Sequence, residues 1–350
     1  MKSASCASTL LRGPAVVGVW AALSCAPSGF ADESKVDNVR ILGSSANTPF
    51  AAQGSPVTVS VLAVSGLESP PQTSVPVSWL PPCINPKDDA YYNCFPQFAS
   101  LAKTVSPGQD LTPALTTGTT FQFTMPADAV AGHPQTPGTP VVGGVPAFYG
   151  LAVLFNLACT GHLELLPSDP SNANPQALPV GCFDQQHNQL GANDFVFGFT
   201  TVYAYDESML SQLSNTNPVI DSIDFDGTAL TPASDGTYSA VTVTHCEGSC
   251  KTLKIGPAVP SSSWELNPEA FDLNGKPLHE QIWADFYVSL GSLSDGARLL
   301  YDATSGSLGG LGDTDDTFTP PNQAGTGFLW IVVHDNRAGA SWATVPLTIQ

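Results

Sequence analysis

Apolar and small polar residues alternate through Pro56-Val57-Thr58-Val59-Ser60-Val61-Leu62-Ala63-Val64, the period-2 signature of a half-buried strand. The pattern recurs at 121–125. Leu151, Val153, Phe155 and Leu157 fall on one face of a strand, and Phe195, Phe197, Phe199, Tyr203 and Tyr205 on one face of another. The alternation starts afresh at 219–223 and continues at 241–244, 250–255, 282–290, 327–333 and 342–349. No stretch carries an apolar period of 3.6 long enough for more than a one-turn helix. Asp226-Gly227, Asp235-Gly236, Asn274-Gly275 and Asp295-Gly296 mark turns, because Asn, Asp and Gly tolerate positive φ. The expected fold is all-β, with strands packed as two-sheet sandwiches.

The polar stretch 208–217 ends in Asn-Thr-Asn-Pro and separates the two series of strands, so it reads as a linker between domains at 36–207 and 215–350. A chain of 350 residues is long enough for two cores, and a hydrophobic fraction of 42% excludes wholesale disorder. The 31 Gly and 31 Pro fit short strands joined by turns better than long helices.

Residues 1–31 read as an export signal: Lys2 and Arg12 supply positive charge, and 15–26 is apolar without an acid. That run is shorter than the roughly 20 residues of a bilayer span. Two processing routes compete. Gly29-Phe30-Ala31 places small residues where signal peptidase prefers them, whereas Ala22-Leu23-Ser24-Cys25 resembles a bacterial lipobox, with Ala where Leu is commonest, and would make Cys25 the lipidated first residue. Residues 26–38 read as a polar tether. The expected location is the cell envelope, as an outer-membrane lipoprotein or in the periplasm, or outside the cell.

Of eight cysteines, Cys6 leaves with the signal and Cys25 is either removed or acylated. The remaining six form an even set, which in an exported chain reads as disulfides. Spacing groups them as Cys83 with Cys94, Cys159 with Cys182 and Cys246 with Cys250, since short loops cost less to close.

Charge narrows the partners. Only 11 Lys and Arg face 30 Asp and Glu, so there is no basic stripe for nucleic acid, and contact with a membrane is expected only through the N-terminal lipid. Without Lys2 and Arg12 the net charge is -21, shared as -10 before residue 214 and -11 after it. The excess is dispersed and solubilising rather than a tail.

Candidate chemistry is sparse. In His245-Cys246-Glu247-Gly248-Ser249-Cys250 a C-x3-C pair beside a His could bind copper or exchange thiols, but strand-like flanks favour a strand-linking disulfide. A metal-binding envelope protein using His245, Cys246 and Cys250 stands as an alternative. His279-Glu280 opens like H-E-x-x-H, yet Trp283 stands where the second His belongs. His133, His162, His187 and His334 are scattered without ligand spacing. The acidic turns at 224–227 and 312–316 make Asp224, Asp226, Asp313 and Asp315 calcium candidates, although neither matches an EF-hand. There is no G-x-S-x-G elbow, and Gly309-Gly310-Leu311-Gly312 lacks a P-loop Lys, so no catalytic residue and no cofactor is implied. Carboxylate pairs for glycoside hydrolysis are a matter of three-dimensional separation.

The last seventy residues carry a resemblance. Phe286-Tyr287-Val288-Ser289-Leu290-Gly291-Ser292-Leu293, then Asp316-Thr317-Phe318-Thr319-Pro320-Pro321, then Phe328-Leu329-Trp330-Ile331-Val332-Val333-His334-Asp335-Asn336-Arg337-Ala338-Gly339 resemble a bacterial immunoglobulin-like or PKD-type domain. There an aromatic strand ends in a Gly turn, a Thr-Pro-Pro corner follows, and a strand runs into an Asp-Asn-x-x-Gly turn. Pro320-Pro321 ends a strand without needing ladder donors, and Gly339 is expected to supply an unusual φ. In the first half, Val39-Arg40-Ile41-Leu42-Gly43, the strand at 56–64 and Val75-Pro76-Val77-Ser78-Trp79-Leu80-Pro81-Pro82-Cys83 resemble the opening of exported bacterial proteins, often lipoproteins. The resemblance implies two tandem immunoglobulin-like sandwiches and no catalytic residues. The expected function is therefore a non-catalytic structural, adhesive or protein-binding module, with an envelope or extracellular protein or glycan as partner. The insert 163–193, stapled by Cys159 and Cys182, is the expected contact surface. A carbohydrate-active or other hydrolytic sandwich enzyme is the competing class.

Overall fold

Alternating strands need a partner layer on each apolar face, and among the described residues the four larger sheets meet that need in one stack, with three two-stranded ribbons beside them. A computed structural model describes residues 33–98, 108–134, 139–166, 178–308 and 313–350. The export signal with Cys25, residues 309–312 and the middle of the 163–193 insert lie outside the described residues.

The outermost layer, sheet A, runs in the order Phe50–Ala52, Phe195–Tyr205, Gly150–Cys159, Val77–Trp79 and Thr116–Thr117, with Cys83–Ile84 also on Gly150–Cys159. Sheet B holds Val39–Ala46, Pro56–Ser65 and Thr120–Thr124. Sheet C runs Val241–Val243, Ala340–Ile349, Gly325–Asp335, Ile282–Val288, Ala297–Asp302 and Ser307–Leu308. Sheet D runs Thr228–Leu230, Ser222–Phe225, Leu253–Ala258, Asp316–Thr319 and Ser292–Leu293. In sheet A the central pair is antiparallel, from Gly150 opposite Ala204 to Cys159 opposite Phe195.

The sandwiches are A on B and C on D. Val57, Val59, Val61 and Ala63 of sheet B meet Ala152, Leu154, Ala158 and Val202 of sheet A. Phe286, Leu329, Ile331 and Val345 of sheet C meet Ile223, Ile255 and Phe318 of sheet D. In each, a short strand lies parallel to the last long one: Phe50–Ala52 beside Tyr203–Tyr205, and Val241–Val243 beside Leu347–Ile349. Both sandwiches are thus all-β and immunoglobulin-like in build.

Alternation also supplies the middle of the stack. The residues between the inward-facing ones, Leu42, Leu62 and Val64 of sheet B and Trp330 and Val332 of sheet C, are buried against each other. Residues 33–350 accordingly form one compact unit. The tether joins it: Val36 N donates to Val288 O at 2.9 Å, Val288 N donates to Ser34 O at 2.8 Å, and Lys35 Nζ reaches Gly291 O at 2.9 Å. From residue 34 the chain is a strand-like edge of the stack rather than free spacer.

The 208–217 stretch also differs from a plain linker. Glu207–Leu213 is a short helix that buries Met209 and Leu213 against Phe50, Val142 and Tyr205. Arg337, on the turn between Gly325–Asp335 and Ala340–Ile349, donates to Leu213 O at 2.6 Å, Ser214 O at 3.3 Å and Glu280 Oε1 at 2.8 Å. Its guanidinium lies 4.8 Å from the Phe50 ring centre. That turn corrects one expectation: the positive φ of 73° sits at Ala338, not at Gly339. Gly339 is needed for space instead, because a Cβ there would lie 2.0 Å from Asp335 Oδ2. The Thr-Pro-Pro corner does end a strand, Asp316–Thr319.

Candidate functional site

The outer face of sheet A would be bare in a two-layer sandwich. Here Leu151, Val153, Phe155 and Leu157 are covered by Leu80, Phe95, Phe98 and Leu111, and by Leu163, Leu165, Leu178 and Val180 from the insert. This cover makes Gly150–Cys159 buried on both faces, where the alternation implied one. The insert contributes the hairpin His162–Leu165 and Val180–Phe183, paired antiparallel with Leu163 opposite Cys182 and Glu164 opposite Gly181. Disulfides join Cys159 to Cys182 and Cys83 to Cys94, with Cα separations of 5.7 and 5.8 Å, tying both covering segments to the sheet.

Two residues apart on a strand, His162 and Glu164 share a face. After the second hairpin strand the chain folds back through a turn built on Asp184, whose Oδ1 accepts from Gln186 N at 2.8 Å and Asn188 N at 2.9 Å. The turn holds His187 at a φ of 62° and brings it to the same place. Both imidazoles donate to one oxygen: His162 Nε2 lies 2.6 Å and His187 Nδ1 2.5 Å from Glu164 Oε1. The rings meet edge to face at 5.5 Å. The Glu164 side chain is only 4% exposed, His162 19% and His187 60%, so the cluster has a buried floor and an open mouth. Burial works against the Glu164 charge, but the hydrogen bonds from His187 and His162 outweigh it and hold the carboxyl below its ordinary range. Read as separate residues along the chain, His162 and His187 had no ligand spacing; the hairpin supplies it.

The constellations singled out from sequence fare differently. Cys246 and Cys250 are joined with a Cα separation of 5.1 Å, so neither offers a thiolate to a metal, and the metal reading of His245, Cys246 and Cys250 loses its sulfur ligands. His245 Nε2 pairs with Glu247 at 3.0 Å. These residues line a groove of about 810 Å³ at one end of the C–D sandwich, between the edge strands Thr228–Leu230 and Val241–Val243. The two acidic turns do converge: Asp224, Asp226 and Asp315 line one concavity. Two exposed lysines pair with these carboxylates. Lys251 pairs with Asp226, and Lys254 pairs with Asp313 and approaches Asp315 at 3.9 Å. His279 Nδ1 is bonded to Trp264 O at 2.6 Å, and His133 Nε2 to Asp89 at 2.7 Å.

Beside the hairpin, sheet A has an open edge. Phe195–Tyr205 pairs along one side with Gly150–Cys159, but on the other only Tyr203–Tyr205 has a ladder partner among the described residues. Phe197 and Phe199 are each 42% exposed, and Tyr91 stacks on Phe199 with ring centres 4.5 Å apart. A crevice of about 430 Å³ follows this edge between 41–44 of sheet B and Trp283 and His334 of sheet C. Under it lies Asn156, 1% exposed, whose side-chain oxygen and nitrogen have no hydrogen-bond partner among the described residues. Gly198 stands opposite Asn156, and a Cβ at 198 would lie 2.8 Å from the amide oxygen, so only Gly leaves the amide facing the crevice.

No family model matches the chain, and no curated protein matches it. Among solved structures, the D0-D1 domain of intimin aligns over 88% of this chain and 98% of its own length at 11% identity, with a TM-score of 0.19. The D00-D0 domain of intimin covers 87% and 99% at 10% identity with a TM-score of 0.18, and murine CEACAM1b covers 89% and 100% at 12% with a TM-score of 0.18. Likeness at that level says nothing of what this chain binds.

Proposed function

We propose that the chain is a non-catalytic binding module of the cell envelope, exported and held there through a lipid on Cys25, which engages a protein partner along the free edge at 195–201. The observation that carries the reading is that edge: among the described residues, 195–202 has no ladder partner on that side, though the Thr200 hydroxyl donates to Ser44 Oγ at 2.6 Å, and exposed Phe197, Phe199 and Tyr91 flank it. A free edge offers main-chain donors and acceptors to an added strand, and alternate side chains then select the partner. Aromatic side chains dominate the binding energy of such surfaces. Asn156 supports the same place, since leaving a buried amide unpaired costs about 1–3 kcal/mol that a partner group entering the crevice would recover.

The test is a photo-crosslinking amino acid placed at Phe197 in intact cells, with the same group at exposed Leu273 as control. One partner protein, identified by mass and joined at 197 but not at 273, is the expected result, and the same digest should show an acylated Cys25 peptide. Equal labelling at both positions, or none at 197, would remove the edge as the binding surface. An unmodified mature N-terminus after residue 31 would remove the lipid anchor.

A further inference from the structure

We infer that His162, Glu164 and His187 form a binding site for a divalent transition-metal ion, with Zn²⁺ the best fit. This is independent of the binding edge: it rests on two imidazoles and a buried carboxylate converging on a single point, and would stand if the edge bound nothing.

The donor set comes first. One nitrogen from each His and one carboxylate oxygen lie within 4.8 Å of one another, and among the described residues this is the one group of three or more potential ligands so placed. Nitrogen and oxygen donors in this mixture suit a borderline cation, whereas calcium and magnesium prefer oxygen alone. Zinc bonds of 2.0–2.2 Å set neighbouring donors about 3.4 Å apart in a tetrahedron. The present His–Glu separations of 2.6 and 2.5 Å are those of N–H donors on a carboxylate, and widening both to the zinc spacing takes side-chain rotations of the partly exposed His162 and the exposed His187.

A metal site works when its ligands are held before the ion arrives. His162 and Glu164 are fixed by the ladder to Val180–Phe183, Cys182 is bonded to Cys159 within sheet A, and the Asp184 turn sets His187. Gly181 sits opposite Glu164 in a space where a Cβ would lie 2.9 Å from Leu166. Glu164 is a buried carboxylate, and in a chain with 30 acidic and 11 basic residues a metal ion is readily drawn to such a pocket. Three protein ligands leave a fourth position on the solvent side for water or a partner's donor group.

The experiment is calorimetric titration of the chelator-stripped full chain with ZnCl₂ at neutral pH, repeated with CaCl₂. The expected result is one Zn²⁺ bound per chain, no response to Ca²⁺, and a Co²⁺ adduct with visible d–d absorption. His187→Ala, at an exposed position, and His162→Ala should each weaken Zn²⁺ binding by more than about tenfold while keeping the far-ultraviolet circular dichroism of the parent. His245→Ala should leave it unchanged. No Zn²⁺ binding by the parent would overturn the inference and leave a carboxylate bridged by two imidazole donors. Binding that survives in His187→Ala but is lost in His245→Ala would overturn it as well, by moving the ion to the groove at the other end of the molecule.

Discussion

At the scale of single residues, the turn after Asp335 shows two neighbours whose roles are the reverse of what their types imply. Ala338 carries the left-handed φ of 73°, a conformation that costs an L-residue roughly 1–2 kcal/mol, while Gly339 has an ordinary φ and is confined by Asp335. Asp335 Oδ1 accepts from Arg337 N and Gly339 N, both at 2.7 Å, so its carboxylate cannot retreat from a new methyl group without breaking the turn. Gly339→Ala should therefore lower stability by roughly 2–3 kcal/mol. Ala338→Gly should be neutral or stabilising by up to about 1 kcal/mol, since relief of φ strain offsets the added chain entropy. Urea denaturation midpoints check both, and a harmless Gly339→Ala would refute the steric account. The Asp-Asn-x-x-Gly spelling was legible as a turn because turn residues act locally. Which residue bends and which makes room depends on a side chain four positions away, and no local rule reports that. The same limit hid the metal cluster: His162 and Glu164 sit two apart, but His187 joins them only once the hairpin closes and Asp184 turns the chain back.

Among elements, the segment between the two series of strands carries the clearest lesson. Met209 and Leu213 are four apart and share a helical face, yet seven residues are too few for a period to stand out from a polar background. What steadies the helix lies far along the chain, in the Arg337 guanidinium against its last carbonyls, a favourable place for a cation. Arg337 is in turn bound to Glu280, which is wholly buried, and Asp335 and Glu265 also act on that carboxyl. Burial first, and then the Asp335 charge, push Glu280 up from 4.5 to about 7, against the pull of Arg337. A carboxyl with a raised native pKa binds its proton more tightly folded than unfolded. Its contribution to stability is full below about 4.5 and is lost as pH rises through about 7. Burial raises Asp335 in the same direction. Stability measured by denaturant at a series of pH values should show a Glu280 component that declines over this window by on the order of 1–3 kcal/mol. Glu280→Gln, while less stable overall because it weakens the partner of a buried cation, should lack that component. An unchanged pH slope in Glu280→Gln would place the titration elsewhere.

For the whole molecule the question is whether two sandwiches behave as two bodies or one. Period 2 made the strands legible, because it reports which residues of a strand share a face. It does not report what covers the second face. Leu62 and Val64 on one side and Trp330 and Val332 on the other lie on the faces turned away from their own sandwich cores, and their meeting across more than half the chain follows only from the stack. Trp330 is fully buried in this seam and Gly43 lets sheet B approach Val332, a Cβ there lying 3.0 Å from it. Acidity opposes the seam, since each half carries a charge of about -10 and like charges repel across a shared boundary. The apolar contact, with the Ser34–Val288 hydrogen bonds and the Arg337 clamp, has to exceed that repulsion for the stack to hold. The expected consequence is a single calorimetric transition for the parent, with calorimetric and van't Hoff enthalpies in agreement. Trp330→Ala removes the largest fully buried side chain in the seam at a cost of about 3–5 kcal/mol, enough to uncouple the layers and split the heat peak in two. Added salt should draw the two peaks of that variant together, because screening weakens the repulsion and leaves the remaining apolar contact intact. Two transitions already present in the parent, or one that stays single in Trp330→Ala at low salt, would mean that the seam between sheets B and C does not govern how this molecule unfolds.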